Sequence, residues 1–470
     1  MTIVPDLSPT KANSKDLSRR FYITAWRWHF YAGLYVAPFL IMLAVTGLIM
    51  LWTATLFGRD GEKIYSVEPQ ATLASVSAQA GAATLEIPGQ IIQYIAPRTP
   101  EQAALFRINQ GDASFMVAVD PYKAEVLGNW ERRNGLYDLA DTIHGTLLIG
   151  DLGDRLIEIA AGFAIMLVVT GLYLWWPRDG RGFGSVLVPQ LSAKGRQLWK
   201  SLHLSIGFYA SLFLVVFLLS GLTWAGIWGE KFTQAWSTFP AEKWDNVPLS
   251  DKTHASMNHG GIKQVPWTLE QTPMPASGSD AGVTGTPDGE PVNLDAIVTL
   301  ARTLGFYQRF QLAFPGDETA VWTISRDTMS NDSANPLDDR TVHIDQYTGR
   351  ILADVGFGDY GAAGKAMAAG VAFHEGDMGL WNLVFVNIFC LSIIFLSVSG
   401  FVMWWKRRPK GAARLVAPSV GEPGPLWKTG ALVMLATALL FPLSGAVLLV
   451  VLLLDLLVFR HIAPLKKALS

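Results

Sequence analysis

The chain has 470 residues, half of them apolar and only 16% charged, with a formal net charge of -2 and a mean hydropathy of +0.28. A soluble domain averages about 25% charged residues, so this composition, with 17 Trp, reads as an integral membrane protein with sizeable extramembrane parts. The charge gives no reason to expect nucleic acid as a partner. The single cysteine, Cys390, excludes an intrachain disulfide, Cys-ligated zinc or iron–sulfur clusters, and C-x-x-C-H haem attachment.

In chain order, residues 1–27 carry Lys11, Lys15, Arg19, Arg20 and Arg27. Residues 28–58 are uncharged and long enough for a first span, since crossing takes about 20 apolar residues. Residues 59–154 form a long polar segment with helical character near Ala71–Gln79. A strand, tight turn and strand follow around Asp120-Pro-Tyr122-Lys-Ala-Glu-Val126-Leu127. The second span covers 155–177. Residues 178–200 form a basic loop with Arg178, Arg181, Lys194, Arg196 and Lys200. The third span covers 201–229.

A second long polar segment, 230–377, has a helix near Leu294–Leu304 and the turn Asp345-Gln-Tyr347-Thr-Gly-Arg-Ile351-Leu352. Within it, residues 268–292 are rich in Pro, Gly, Ser and Thr and read as a flexible insertion. The fourth span covers 378–405, and the basic loop 406–428 follows. Residues 429–459 are apolar except for Asp455. They are read as one fifth span kinked at Pro442, with a hairpin turning at Pro442–Gly445 as the alternative. A tail, 460–470, completes the chain. The first apolar run is too long for a cleavable signal peptide, and none is expected. The positive-inside rule puts the basic segments in the cytoplasm and the two long segments outside, in the periplasm of a bacterial inner membrane.

The chain reads as a duplicated unit. His29, Gly33, Tyr35, Phe39, Thr46 and Gly47 match His203, Gly207, Tyr209, Phe213, Ser220 and Gly221 without gaps. Gly171-x3-Trp175-Trp176 matches Gly400-x3-Trp404-Trp405, and the two D-x-Y turns match each other. The expected fold is membrane α-helical. Four core helices arise from a span–domain–span unit used twice, with two outer α+β domains and a C-terminal membrane extension.

Four of the eight histidines occupy duplicated positions. His29 and His203 open their spans on the inner side, while His144 and His374 precede theirs on the outer side. A pseudo-two-fold axis along the membrane normal sets equivalent residues opposite each other. Two imidazole pairs result, each able to take both axial positions of one haem iron. Gly47 and Gly221 lie 18 residues after their histidines, near the outer end; Gly171 and Gly400 lie near the inner end. Each expected haem therefore has a glycine pair at its depth. The other reading makes these histidines and tryptophans interfacial anchors and the glycines packing contacts.

Three weaker signals remain. Gly356-Phe-Gly358-Asp-Tyr-Gly361 fits G-x-G-x-x-G but lacks a second strand, and reads as a loop. His254, Met257 and His259 form a short cluster suited to copper, with a solvated loop as the other reading. Cys390 lies inside an apolar span and reads as inert packing.

The W-x-x-H and K-x-x-H starts (Trp26 to His29, Lys200 to His203), the D-x-Y turns and the two G-x3-W-W ends resemble the PepSY-associated transmembrane family of bacteria. The resemblance covers about residues 20–410. It implies an inner-membrane protein of iron uptake, of the ferric-siderophore reductase type. Such a protein has two PepSY-like periplasmic domains and two non-covalent b haems. His29, His144, His203 and His374 would be the axial ligands.

On this reading electrons arrive from an unidentified cytoplasmic or quinol donor and leave to a periplasmic ferric siderophore. Two alternatives stand beside it. One is a non-redox PepSY protein regulating a protease or transporter; the other is a cupric reductase.

Overall fold

The computed structural model describes residues 14–178, 182–233, 246–258, 265, 268–287, 289–409, 415–417, 427–454, 457–458 and 461–462. Among the described residues, four helices are long and apolar enough to cross a membrane. They are α1 (Ser14–Phe57), α4 (Asp151–Trp175), α6 (Gly195–Leu222) and α9 (Leu380–Arg407). Between α1 and α4 come α2 (Val76–Glu86), strands β1 (Gln90–Ile95), β2 (Ala104–Gln110), β3 (Ala113–Val119) and β4 (Val126–Glu131), and α3 (Leu136–Thr146). A short α5 (Gly184–Leu187) precedes α6. Between α6 and α9 come β5 (Leu249–Thr253), β6 (Pro273–Pro275), α7 (Leu294–Thr303), β7 (Gln311–Ala313), β8 (Val321–Arg326), β9 (Arg340–Asp345), β10 (Ile351–Gly356) and α8 (Ala362–Glu375). Last come α10 (Trp427–Leu440) and α11 (Pro442–Leu454).

The chain divides into two units. One holds residues 1–44, 149–228 and 391–470; the other holds 45–148 and 229–390. In the helical unit, Val36, Phe163, Ala164, Leu218 and Leu222 form a buried cluster. Two matching tryptophan contacts tie the segments that follow α4 and α9 back to those helix ends. Trp175 Nε1 donates to the Val186 carbonyl at 3.4 Å, and Trp404 Nε1 to the Leu415 carbonyl at 2.6 Å.

Helix α6 stops at Leu222, well short of residue 229. The freed amides of Gly226 and Ile227 donate to the Asp154 and Glu158 carboxylates, at 3.0 and 3.2 Å. Backbone groups in apolar surroundings need such partners, which gives these two acidic residues of α4 their place.

The stretch expected as one kinked helix over 429–459 is instead two helices with a sharp reversal at Phe441–Pro442. A Cβ on Gly445 would fall 2.2 Å from the Cα of Ala438. Seven residues of continuous helix would separate these positions by about 10 Å.

The two long outer segments, expected as two α+β domains, contribute their strands to a shared sheet. Among the described residues, eight strands join one antiparallel sheet in the order β10-β9-β8-β7-β1-β2-β3-β4, and β5 pairs with β6 alone. The two meanders meet where β1 pairs β7, with Tyr94 opposite Leu312. The alternation of strand residues buries one set against α2 and α7. Tyr94, Phe106, Ile108, Val117, Phe310, Leu312, Ile324, Val342 and Ile344 form that core; truncating one of its Phe side chains to Ala would cost about 3–5 kcal/mol.

Helix α2 begins at Val76 rather than near Ala71, because the Ser75 hydroxyl accepts from the Ala78 amide at 3.1 Å and caps it. The stretch 268–292, expected to be flexible, is tied to the sheet in its described part. Val283 bridges Ile351 on the outermost strand, and the Gly278 amide donates to Asp345 at 2.7 Å. It covers an edge that would otherwise offer unpaired backbone groups.

The D-x-Y turns are built alike. Asp120 Oδ1 accepts from the amides of Tyr122 and Lys123 at 2.8 and 3.2 Å, and Asp345 Oδ1 from those of Tyr347 and Thr348 at 2.8 and 2.9 Å. Ala124 and Gly349 then take left-handed backbone, φ +53° and +64°. Arg309, 1% exposed, pins the first segment to the second through Asp60 at 2.6 Å, Glu62 at 3.5 Å and Asp332 at 2.8 Å. Burial opposes its charge, but Glu62, Asp332 and Asp60 together hold the guanidinium firmly protonated.

Candidate cofactor site

Within the helical unit, His29 of α1 and His203 of α6 are held by one device. His29 Nδ1 lies 3.0 Å from the Thr170 hydroxyl, and His203 Nδ1 lies 2.7 Å from the Ser399 hydroxyl. Each hydroxyl spends its own proton on its helix backbone. Thr170 Oγ1 donates to the Met166 carbonyl at 2.8 Å, and Ser399 Oγ to the Leu396 carbonyl at 3.0 Å. Each must therefore accept from the imidazole. With the hydroxyl protons on the backbone, each ring carries its own proton on Nδ1 and keeps the lone pair on Nε2.

The glycines expected beside a macrocycle sit beside the imidazoles. A Cβ on Gly171 would be 3.2 Å from His29 Cε1, and one on Gly400 would be 3.9 Å from His203 Cε1.

In the sheet unit, His144 lies in the last turn of α3 and His374 in the last turn of α8. Both helices end in left-handed backbone, at Leu147 (φ +53°) and Gly376 (φ +86°). The two rings meet edge to face with centroids 6.4 Å apart. Two imidazoles bound to one metal, each nitrogen about 2 Å from it, would have ring centres roughly 6 Å apart, so the centroid spacing is of that size. The Thr46 hydroxyl lies 2.8 Å from His144 Nδ1, and a Cβ on Gly47 would be 3.9 Å from His144 Cε1. Beside His374, Glu375 pairs with Arg59 at 3.2 Å. Burial nevertheless pushes the Glu375 carboxyl up to about 8, against the pull of Arg59.

Gly221 follows Ser220 in the last turn of α6. Thr170 and Ser399 were not singled out from the sequence, although a signal was there. The dipeptide Ser/Thr-Gly, which also occurs elsewhere in the chain, falls once on each of the four long apolar helices, at 46–47, 170–171, 220–221 and 399–400.

The copper-type cluster divides. His254 is buried, with its Nδ1 2.7 Å from the Thr272 carbonyl and its Nε2 2.8 Å from His343 Nε2. His259 lies outside the described residues. Among the described residues no group of three or more His, Cys, Asp or Glu is placed to hold a metal ion. Gly356, Gly358 and Gly361 form a closed loop in which the Gly356 amide donates to Asp359 at 2.9 Å. Cys390 is buried.

The helices and the sheet define a multi-pass membrane protein, whose spans imply a lipid bilayer around them. It belongs to the PepSY-associated TM region family, which matches residues 26–407. No curated protein matches the chain.

Proposed function

We propose that this is a di-haem transmembrane electron carrier, built from a span–domain–span unit used twice. It would deliver electrons to a ferric siderophore at the periplasmic face of a bacterial inner membrane, with its N-terminus in the cytoplasm. His29 and His203 would hold the inner of two non-covalent b haems, and His144 and His374 the outer. Bound haem supplies one-electron redox chemistry. The chain supplies position. The Thr170 and Ser399 hydroxyls would hold the rings at Nδ1 and so leave Nε2 for the iron. Apolar walls such as Val36 and Leu218 keep water out of the helical unit.

The observation that carries this reading is the repeated hydroxyl–imidazole contact, seen at His29, His203 and His144. A histidine serving only as an interfacial anchor has no need of a fixed tautomer. Siderophore oxygens are hard ligands and Fe(II) is the softer ion, so reduction loosens the chelate. The sequence carries no nicotinamide or flavin fingerprint. A quinol, a soluble flavin or a separate reductase therefore supplies the electron.

Pyridine haemochrome analysis of the purified protein tests the cofactor content. Two haems per chain are expected, falling to one in His203→Ala. A colourless, folded protein would refute the reading and favour a non-redox PepSY function. In liposomes loaded with reduced protein, His374→Ala should slow reoxidation by external ferric siderophore far more than it slows reduction of the inner site. Equal slowing of both would remove the outer pair as the exit.

A further inference from the structure

One buried histidine pair has no part in that electron path. His254 opens a single 3-10 turn, His254–Met257, and His343 lies on β9; neither is exposed. Their Nε2 atoms face each other at 2.8 Å. The flanking partners fix the protons. The Thr272 carbonyl, 2.7 Å from His254 Nδ1, can only accept, so that nitrogen carries hydrogen and His254 Nε2 is a lone pair. His343 Nε2 donates to it, and His343 Nδ1, 3.0 Å from the Thr323 hydroxyl, accepts. Both rings are fully buried, which disfavours the charged form.

Two thioethers come to the same place. Met257 is three residues after His254 in a turn of three residues, so their side chains stand one above the other. Met274 of β6 packs in the same apolar cluster as Met257. His254, Met257 and Met274 line one cavity of 370 Å³. The cavity reaches solvent, because its lining includes the exposed ion pair of Lys252 and Asp317.

We propose that His254, His343, Met257 and Met274 form a binding site for a soft monovalent cation, copper(I) in class. Neutral imidazole and thioether are the ligands such an ion prefers, whereas hard divalent ions seek carboxylate oxygens. With metal–nitrogen bonds of about 2 Å, ligand angles from tetrahedral to trigonal set two nitrogens roughly 3.3–3.5 Å apart. The rings therefore need to part by only about half an ångström from their present contact. His343 moves its proton from Nε2 to Nδ1, and the Thr323 hydroxyl turns from donor to acceptor. No proton leaves, and the site gains only the charge of the ion. The site stands apart from the haem reading, since none of its four residues is among the proposed haem ligands.

The test is an anaerobic titration of the full-length protein in detergent with copper(I), competed against a chromophoric copper(I) chelator. One tightly held ion per chain is expected to depend on these residues. Met257→Leu with Met274→Leu keeps the apolar volume and should weaken that ion at least roughly ten-fold, with the haem spectrum unchanged. His254→Gln should do the same. X-ray absorption of the loaded protein should show both nitrogen and sulfur neighbours. If the Leu double variant holds copper(I) as tightly as the parent, or the parent holds none, the pair is a structural hydrogen bond and the proposal fails. The Leu variants keep the test decisive if His254→Gln does not fold.

Discussion

The two inner glycines look equivalent in sequence but not in space, and that difference gives a sharp test. A methyl added at Gly171 meets His29 Cε1 at 3.2 Å, while one at Gly400 meets His203 Cε1 at 3.9 Å. Carbon atoms rest at about 3.5–4.0 Å, so Gly171→Ala asks His29 to retreat by several tenths of an ångström. The ring is tethered at Nδ1 to Thr170, the residue beside the new methyl, at 3.0 Å. Retreat stretches that bond toward the limit of useful geometry. Overpacking with partial loss of a buried hydrogen bond costs on the order of 1–3 kcal/mol, or roughly 5–150-fold in occupancy of a site that needs this geometry. Gly400→Ala adds only an ordinary contact and replaces glycine inside a helix, worth up to about 1 kcal/mol in its favour. Haem stoichiometry and thermal melting of the two variants should therefore diverge. Gly171→Ala loses haem and melts lower; Gly400→Ala keeps its haem and melts no lower than the parent. Equal effects, or a larger effect at Gly400, would refute the steric argument. The melting arm holds whatever the cofactor proves to be.

Arg309→Met leaves Asp60, Glu62 and Asp332 facing one another without their buried cation. It should cost about 3–5 kcal/mol, with part recovered at low pH as the carboxyls protonate; an unchanged melting temperature would show that the cluster does not hold the two segments together. Asp339 is raised to about 7 by burial, against hydrogen bonds from Thr328, so the native state holds its proton more tightly than the unfolded chain does. Its contribution is complete below about pH 4 and is lost as pH rises through 7, up to about 4 kcal/mol in all. Asp339→Asn keeps an acceptor for the Thr328 amide and should reduce the fall in stability between about pH 4 and pH 7; an unaltered slope in melting temperature would count against it. For orientation, Leu85→Cys on α2 and Leu191→Cys, at sites 86% and 72% exposed, can be placed in a Cys390→Ala background. An impermeant thiol reagent on spheroplasts should label the first and spare the second; the opposite result would invert the membrane topology.

How much of this was legible in the sequence follows from which interactions are local. The spans could be read because an uncharged run such as 378–405 has few other places to lie. The D-x-Y turns could be read because an Asp side chain that captures amides two and three residues on is a contact within the turn itself. What could not be read was partnership at a distance. Nothing in β1 or β7 alone says that Tyr94 will sit opposite Leu312 and fuse two meanders into one sheet. The Pro-, Gly- and Ser-rich stretch looked mobile because composition reports only local chain freedom. Its anchor is the backbone bridge from Val283 to Ile351, which no side chain announces. Likewise, Pro442 signalled a break over 429–459, but the reversal depends on Gly445 seating directly on Ala438. The candidate site falls between these cases. The histidines stood out because imidazole in an apolar run is costly, and the glycines because they repeat. Thr170 and Ser399 were passed over because a hydroxyl in a membrane helix can satisfy itself on its own backbone, as both do. That same bond uses up each hydroxyl's proton and obliges it to accept from the histidine. The ordinary-looking residue beside Gly171 and Gly400 thus bears on which imidazole nitrogen keeps its lone pair.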